Sequence, residues 1–147
     1  MAPIIFEDTF EIVSINPDGK KFDKVSRIEG KGNKFDVHIM LDVNIDVYPI
    51  NMEKRYTIAL APTLDLDGTP DSGYFNNQSG RDTLMDRYEY IMHGRLFKIT
   101  DNKNLTPPKS EVYISFGGLL MLLRVDTSTA AKFDLDMRLF LLMKTTE

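Results

Sequence analysis

The sequence predicts an all-β protein: a sandwich or closed barrel of about eight antiparallel strands with one long polar loop. Two stretches carry that reading. From Phe35 to Val47 apolar residues alternate with polar ones: Phe35, Val37, Ile39, Leu41, Val43, Ile45 and Val47 interleave with Asp36, His38, Met40, Asp42, Asn44 and Asp46. Period two suits a strand with one face in a core and does not suit a helix, whose apolar face repeats every 3.6 residues. From Tyr113 to Arg124, β-branched, aromatic and aliphatic residues flank Gly117-Gly118. Such residues fill a pleated surface, and a glycine pair tolerates the positive φ of a tight hairpin turn.

In chain order, a first strand is expected over about Phe6–Ile15 and a second over about Lys24–Gly30. The alternating run at 35–47 is one long strand, bent partway, and Tyr56, Ile58 and Leu60 form another that ends at Pro62. Arg87–His93 and Arg95–Thr100 read as a hairpin turning near His93-Gly94. Glu111–Phe116, Leu119–Val125 and Met137–Met143 complete the set. After the glycine pair apolar residues fall on both faces, so that strand is expected to be covered on both sides. Phe6, Val25, Val37, Ile39, Ile58 and Leu141 are expected in the interior. Thr63–Gly80, with Asp65, Asp67, Gly68, Pro70, Asp71 and Gly73, reads as a polar surface loop, and Asp101–Ser110, with Pro107-Pro108, as a shorter one. Short helical turns are expected near Arg81–Asp86 and Ser128–Phe133.

Residues 1–147 read as one domain, with no internal repeat and no interdomain linker. That length buries roughly 68–70% of the unfolded surface. An apolar content of 42% and a charged content of 27% are those of a soluble globular protein. No run approaches the ~18 apolar residues of a membrane span. The first residues show no secretory signal, so the glycosylation patterns at Asn77-Gln78-Ser79 and Asn104-Leu105-Thr106 carry no weight. With zero cysteines there is no disulfide and no thiolate metal site.

One stretch stands out by charge. Lys20, Lys21, Lys24, Arg27, Lys31 and Lys34 are six of the chain's 18 basic residues, and only Asp23 and Glu29 oppose them, on a chain of net charge −4. Phe22 and Phe35 lie within or beside the segment. Most charge runs are solvated surface. As a site, lysines on phosphates with aromatic rings for stacking would give weak, salt-sensitive binding of single-stranded nucleic acid.

Catalytic patterns are scarce. His38 and His93 are the only histidines; the first alternates outward on its strand and the second sits at the expected turn. Asp65–Asp71 is similar to the start of a calcium loop but lacks its later ligands and flanking helices. No phosphate-cradling glycine loop, nucleophile elbow or zinc-ligand spacing occurs. An enzyme or small-molecule carrier would need polar groups inside the barrel, where the alternating runs supply Val, Ile, Leu and Phe. No cofactor, metal or small-molecule substrate is expected.

Several motifs together resemble a known family. Phe116-Gly117-Gly118-Leu119-Leu120-Met121 is similar to the signature of the small β-barrel subunit shared by eukaryotic nuclear RNA polymerases I, II and III. In order along the chain, Phe6-Glu7-Asp8-Thr9-Phe10, Asp18–Arg27, Leu41-Asp42-Val43-Asn44, Tyr48-Pro49, Tyr88–Gly94 and Leu139–Met143 resemble it too. The resemblance implies an OB-like Greek-key barrel elaborated by extra strands. It implies a non-catalytic subunit in the nucleus that docks on the largest polymerase subunit and touches other subunits. The expected interface draws on Tyr88, Tyr90, Met92 and Gly94 from one motif. From the other come Phe116, Gly117, Gly118, Leu119, Leu120 and Met121, with Arg124. Many family members carry an arginine where Leu122 stands here. Arg124 lies two residues on, on the same strand face. The family's basic region, Lys20–Lys34 here, is also implied as a weak single-stranded DNA contact. The alternative is a stand-alone OB-type barrel that binds single-stranded nucleic acid non-specifically.

Overall fold

The structure, a computed structural model, describes residues 4–16, 24–34, 36–64, 84–102, 104 and 108–146. The strands are β1 (Phe6–Ile15), β2 (Val25–Gly32), β3 (His38–Asn44), β4 (Arg55–Ala61), β5 (Tyr90–Asn102), β6 (Lys109–Phe116), β7 (Leu119–Asp126) and β8 (Arg138–Thr146). They close into a ring in the order β1-β2-β3-β7-β6-β5-β8-β4. Every neighbouring pair is antiparallel. Among the described residues closure leaves no unpaired sheet edge, the usual template for aggregation. The all-β antiparallel barrel is thus as the sequence predicts.

Alternation decides the interior. Phe10, Ile28, Ile39, Leu41, Ile58 and Leu141 are fully buried and belong to one continuous core. Of the residues expected inside, Phe6 and Val37 are buried as well, whereas Val25, at the start of β2, is only half-buried. Asp8 is also fully buried. Its Oδ1 accepts from the N–H groups of Lys34 (2.9 Å) and Asn33 (3.3 Å), which ties the turn after β2 to β1. Gly32 leaves room for that carboxylate, since a Cβ there would collide with Asp8 Oδ2. A buried carboxylate is tolerable only when its oxygens are bonded in this way.

The structure corrects the sequence reading in four places. β5 runs unbroken through His93-Gly94. Its first half pairs with β8 and its second half with β6, so there is no hairpin there. Gly94 serves a close approach instead: a Cβ would collide with the Ser115 carbonyl oxygen and lie 2.6 Å from Phe116 Cδ1. β3 stops at Asn44, whose side chain accepts from Asp46 and Val47 N–H groups and turns the chain. Ile45 and Val47 are consequently exposed, at 36% and 67%. Third, β7 is covered on one side only: Met121, Leu123 and Val125 point inward, while Leu120 is 42% exposed. Last, Thr63 and Leu64 at the start of the long loop are buried rather than on the surface, and the second loop is shorter than expected, because Asp101–Asn102 pairs with Lys109–Ser110. The rest of the long loop, residues 65–80, lies outside the described residues.

The β6–β7 hairpin turns at Gly117 and Gly118, with φ of 61° and 98°, between the paired Phe116 and Leu119. Positive φ at both central residues is the type I′ geometry that matches strand twist. Both short helical turns are present: a 3-10 turn at Leu84–Arg87 and α1 at Thr127–Ala130. Asp126 caps α1 by accepting from Thr129 N–H at 3.0 Å, and hydrogen bonding from the Thr129 side chain, and then from that N–H, holds its carboxyl below the usual range.

Candidate docking interface

Antiparallel register carries side chains from strands distant in sequence into common rows on the barrel's outside. The central row is Met40, Leu122 and Tyr113, set by the pairings Met40↔Leu122 and Tyr113↔Leu122. It continues onto β5, where Lys98 lies opposite Tyr113. A bulge between Leu96 and Lys98 inserts Phe97. Leu96 stays in the core, and Phe97 joins Lys98 outside, 46% exposed. The Phe97 and Tyr113 rings lie 6.1 Å apart, and Lys98 Nζ sits 5.3 Å from the Tyr113 centroid. Met40, Leu122, Tyr113 and Phe97 therefore form an apolar stripe crossing four strands.

Charged rows flank it. On one side Lys31, His38, Arg124 and Glu111 are successive cross-strand neighbours, and Arg124 Nη2 reaches Glu111 Oε2 at 3.1 Å. Arg124 Nε is buried and has no hydrogen-bond partner among the described residues. On the other side Arg27 Nε reaches Asp42 Oδ1 at 2.7 Å, and Leu120 N–H donates to Asp42 Oδ2 at 3.0 Å. An apolar centre with a polar, ion-paired rim is the usual anatomy of a protein interface.

A second stretch of the outside is covered by the chain itself. Over β4, β8 and the start of β5, Ala59, Ala61, Leu64 and Leu142 are buried together, with Ile4, Tyr88, Ile91 and Phe140 packed against them. Tyr88 O–H donates to Glu7 Oε2 at 2.7 Å, and Lys144 Nζ lies 4.8 Å from its ring centroid. Burial, and then that hydrogen bond, push the Tyr88 phenol up. At one mouth of the barrel Tyr48 stacks on Tyr90 at 5.2 Å and meets Tyr56 edge-on at 6.0 Å. Tyr48 O–H (2.6 Å) and Thr145 N–H (2.7 Å) both donate to Glu89 Oε1.

The interface residues named from sequence divide accordingly. Tyr90, Phe116 and Met121 are core side chains, at 7%, 5% and 1% exposure, and pack the barrel. Met92 and Leu119 also lean on the core. Gly94 is spent on the approach of β5 to β6, and Gly117-Gly118 form the hairpin tip. Tyr88 belongs to the self-covered patch. Leu120 and Arg124 lie on the outer face beside Met40, Tyr113, Leu122 and Phe97. Alternation outward from Leu120 and Arg124 selects Leu122, and Met40 already read as outward. Phe97 was hidden because its placement depends on the bulge.

Within the basic segment Lys24, Lys31 and Lys34 are exposed, whereas Arg27 is held by Asp42. Lys20, Lys21, Phe22 and Phe35 lie outside the described residues. His38 faces outward on β3. His93 lies in mid-strand with its ring 4.4 Å from that of Phe140. Among the described residues, no group of three or more histidine, aspartate or glutamate side chains is placed to hold a metal ion.

A closed barrel with an apolar interior and a partly exposed apolar stripe on its outside is built as a module that works through its surface. The profile of the family described as RNA polymerase Rpb8 matches residues 7–145, nearly the whole chain. The chain is 53% identical to the DNA-directed RNA polymerases II, IV and V subunit 8B of Arabidopsis thaliana, covering 96% of this chain and 95% of that one. It is 41% identical to the RNA polymerases I, II and III subunit rpabc3 of Dictyostelium discoideum, over 98% and 99% of the two chains. Identity to the Saccharomyces cerevisiae subunit RPABC3 is 34%, over 82% and 84%. The chain belongs to the RNA polymerase Rpb8 family, a non-catalytic accessory subunit of DNA-directed RNA polymerase with other polymerase subunits as its partners.

Proposed function

We propose that this chain is a common subunit of the nuclear RNA polymerases I, II and III, docked on the largest subunit. It works by structure: a preformed barrel buries surface against its neighbour and holds that region in its active arrangement. The observation that carries this reading is full-length similarity to subunits named for those three polymerases. The partly exposed stripe, with Phe97 and the neighbouring Leu120 its most exposed members, supports docking, because a subunit needs apolar surface to bury. The 53% identical relative is named for polymerases II, IV and V, and that set is the second reading of which enzymes this copy serves. A weak single-stranded DNA contact at Lys24, Lys31 and Lys34, all exposed, is compatible with either.

The test is to tag the chain in its own cells, purify at moderately high salt and identify what remains at near-equal stoichiometry. The largest subunits of polymerases I, II and III are the expected companions. Recovery with II, IV and V would replace the first set by the second. Recovery with no polymerase subunit would overturn the assignment and make the exposed lysines the leading site.

A further inference from the structure

We propose that the Met40–Leu122–Tyr113–Phe97 stripe binds one extended segment of a polymerase subunit that carries aliphatic side chains and at least one carboxylate. This rests on the docked-subunit reading and adds the surface used and the chemistry of what lies on it. Four strands at ~4.8 Å spacing make the stripe ~15 Å long, which an extended segment of about five residues spans. Its three rows cover ~14 Å along the strands, a footprint of roughly 200 Å². That is well below the ~800 Å² per partner of a stable dimer. Like charges also disfavour a second copy on the two axes that follow the face itself. A two-fold axis along β7 would set Arg124 against its own counterpart, and one along the stripe would set Lys98 against Lys98 and Glu29 against Glu29.

The charge of the rim selects a carboxylate. Arg27, Lys31, Lys98 and Arg124 meet Glu29, Asp42 and Glu111 on this face, a local excess of cations on a chain of net charge −4. Arg27 and Arg124 pair with Asp42 and Glu111. Lys31 and Lys98 have no carboxylate within ion-pair range among the described residues. Arg124 is the specific receptor. Its buried Nε lacks an acceptor among the described residues, an unfavourable state that a turn of the guanidinium toward an incoming carboxylate would relieve. The guanidinium fork then binds that carboxylate through two parallel hydrogen bonds.

The experiment places a photo-crosslinker on the stripe, Leu122→p-benzoylphenylalanine, in the full-length tagged chain in its own cells. Leu122→Asp, Arg124→Glu and Lys98→Glu are purified in parallel, each first shown by thermal melting to be folded. The crosslink is expected on a polymerase subunit, in a segment with aliphatic residues and a carboxylate within a few positions. The variants are expected to recover at least ~10-fold less polymerase, as replacement of an interface anchor does. The inference is overturned, with the docked-subunit reading intact, if the unsubstituted chain recovers polymerase while folded variants recover it equally. A crosslink to a second copy, to nucleic acid or to a segment without a carboxylate overturns it too. If the unsubstituted chain recovers no polymerase, the reading beneath falls and takes the inference with it.

Discussion

Arg27 and Asp42, opposed across β2 and β3, hold one another through two contacts, Nε to Oδ1 at 2.7 Å and Nη2 to Oδ2 at 3.1 Å. Asp42 Oδ2 also accepts from the N–H of Leu120 on β7. One carboxylate thereby joins three strands just beyond Leu41↔Met121, the last pair of the β3–β7 ladder. The fork geometry fixes orientation as well as distance.

Removing that carboxylate takes the acceptor from Leu120 N–H and two contacts from the Arg27 guanidinium. Asp42→Ala is expected to destabilise the barrel by about 1–3 kcal/mol. Asp42→Asn should cost less, because the amide oxygen still accepts one bond. Urea unfolding midpoints of the three proteins check the order.

Two glycines should respond for different reasons. At Gly94 an added Cβ meets backbone of Ser115 and the Phe116 ring, and Gly94→Ala is expected to cost about 1–3 kcal/mol through overpacking. At Gly117 there is open space but φ is +61°, so Gly117→Ala should cost only about 1 kcal/mol. Denaturation curves separate the two, with Gly94→Ala the less stable.

The inward and outward faces predict opposite sensitivities. Leu141 is fully buried, and Leu141→Ala is expected to lose about 2–5 kcal/mol. Leu120 is 42% exposed, and Leu120→Ala should stay within about 0.5 kcal/mol in the free chain. Thermal melting of the isolated chain tests this pair.

Glu89 gives a pH dependence. The Tyr48 hydroxyl, and then Thr145 N–H, hold its carboxyl below the usual range. A depressed carboxylate contributes stability that is present above the ordinary glutamate value and lost as pH falls through the folded one. Burial, and then the bond to Glu89, push the Tyr48 phenol up, so it remains a donor throughout the acid range. Tyr48→Phe should move the Glu89 titration upward, read by carboxyl carbon NMR. The stability advantage of the native protein over Tyr48→Phe should narrow in acid.

Strand identity was legible because period-two alternation is local. It marked β1, the inward residues Val37–Val43, the Tyr56–Leu60 run and the Gly117-Gly118 turn directly. Where reading failed, the deciding contact was remote. His93-Gly94 looks like a turn in isolation, and only Ser115 and Phe116 show why glycine is needed in the middle of a strand. Ile45 and Val47 continue the alternation, yet Asn44 ends the strand before them. Closure of the barrel also sets Tyr90, Phe116 and Met121 in the core, a placement their motifs do not encode locally.

The sequence by itself determined the strands, the inward face of most of them and, through its ordered motifs, the family. Those properties reside in neighbouring residues and in their period. Only the tertiary structure decided which strands pair, and in what register. That register sets Met40 beside Leu122, Leu122 beside Tyr113, and Asp42 between Arg27 and Leu120. The outer stripe is a product of pairings between strands far apart in the chain, and no local pattern encodes a row assembled across them.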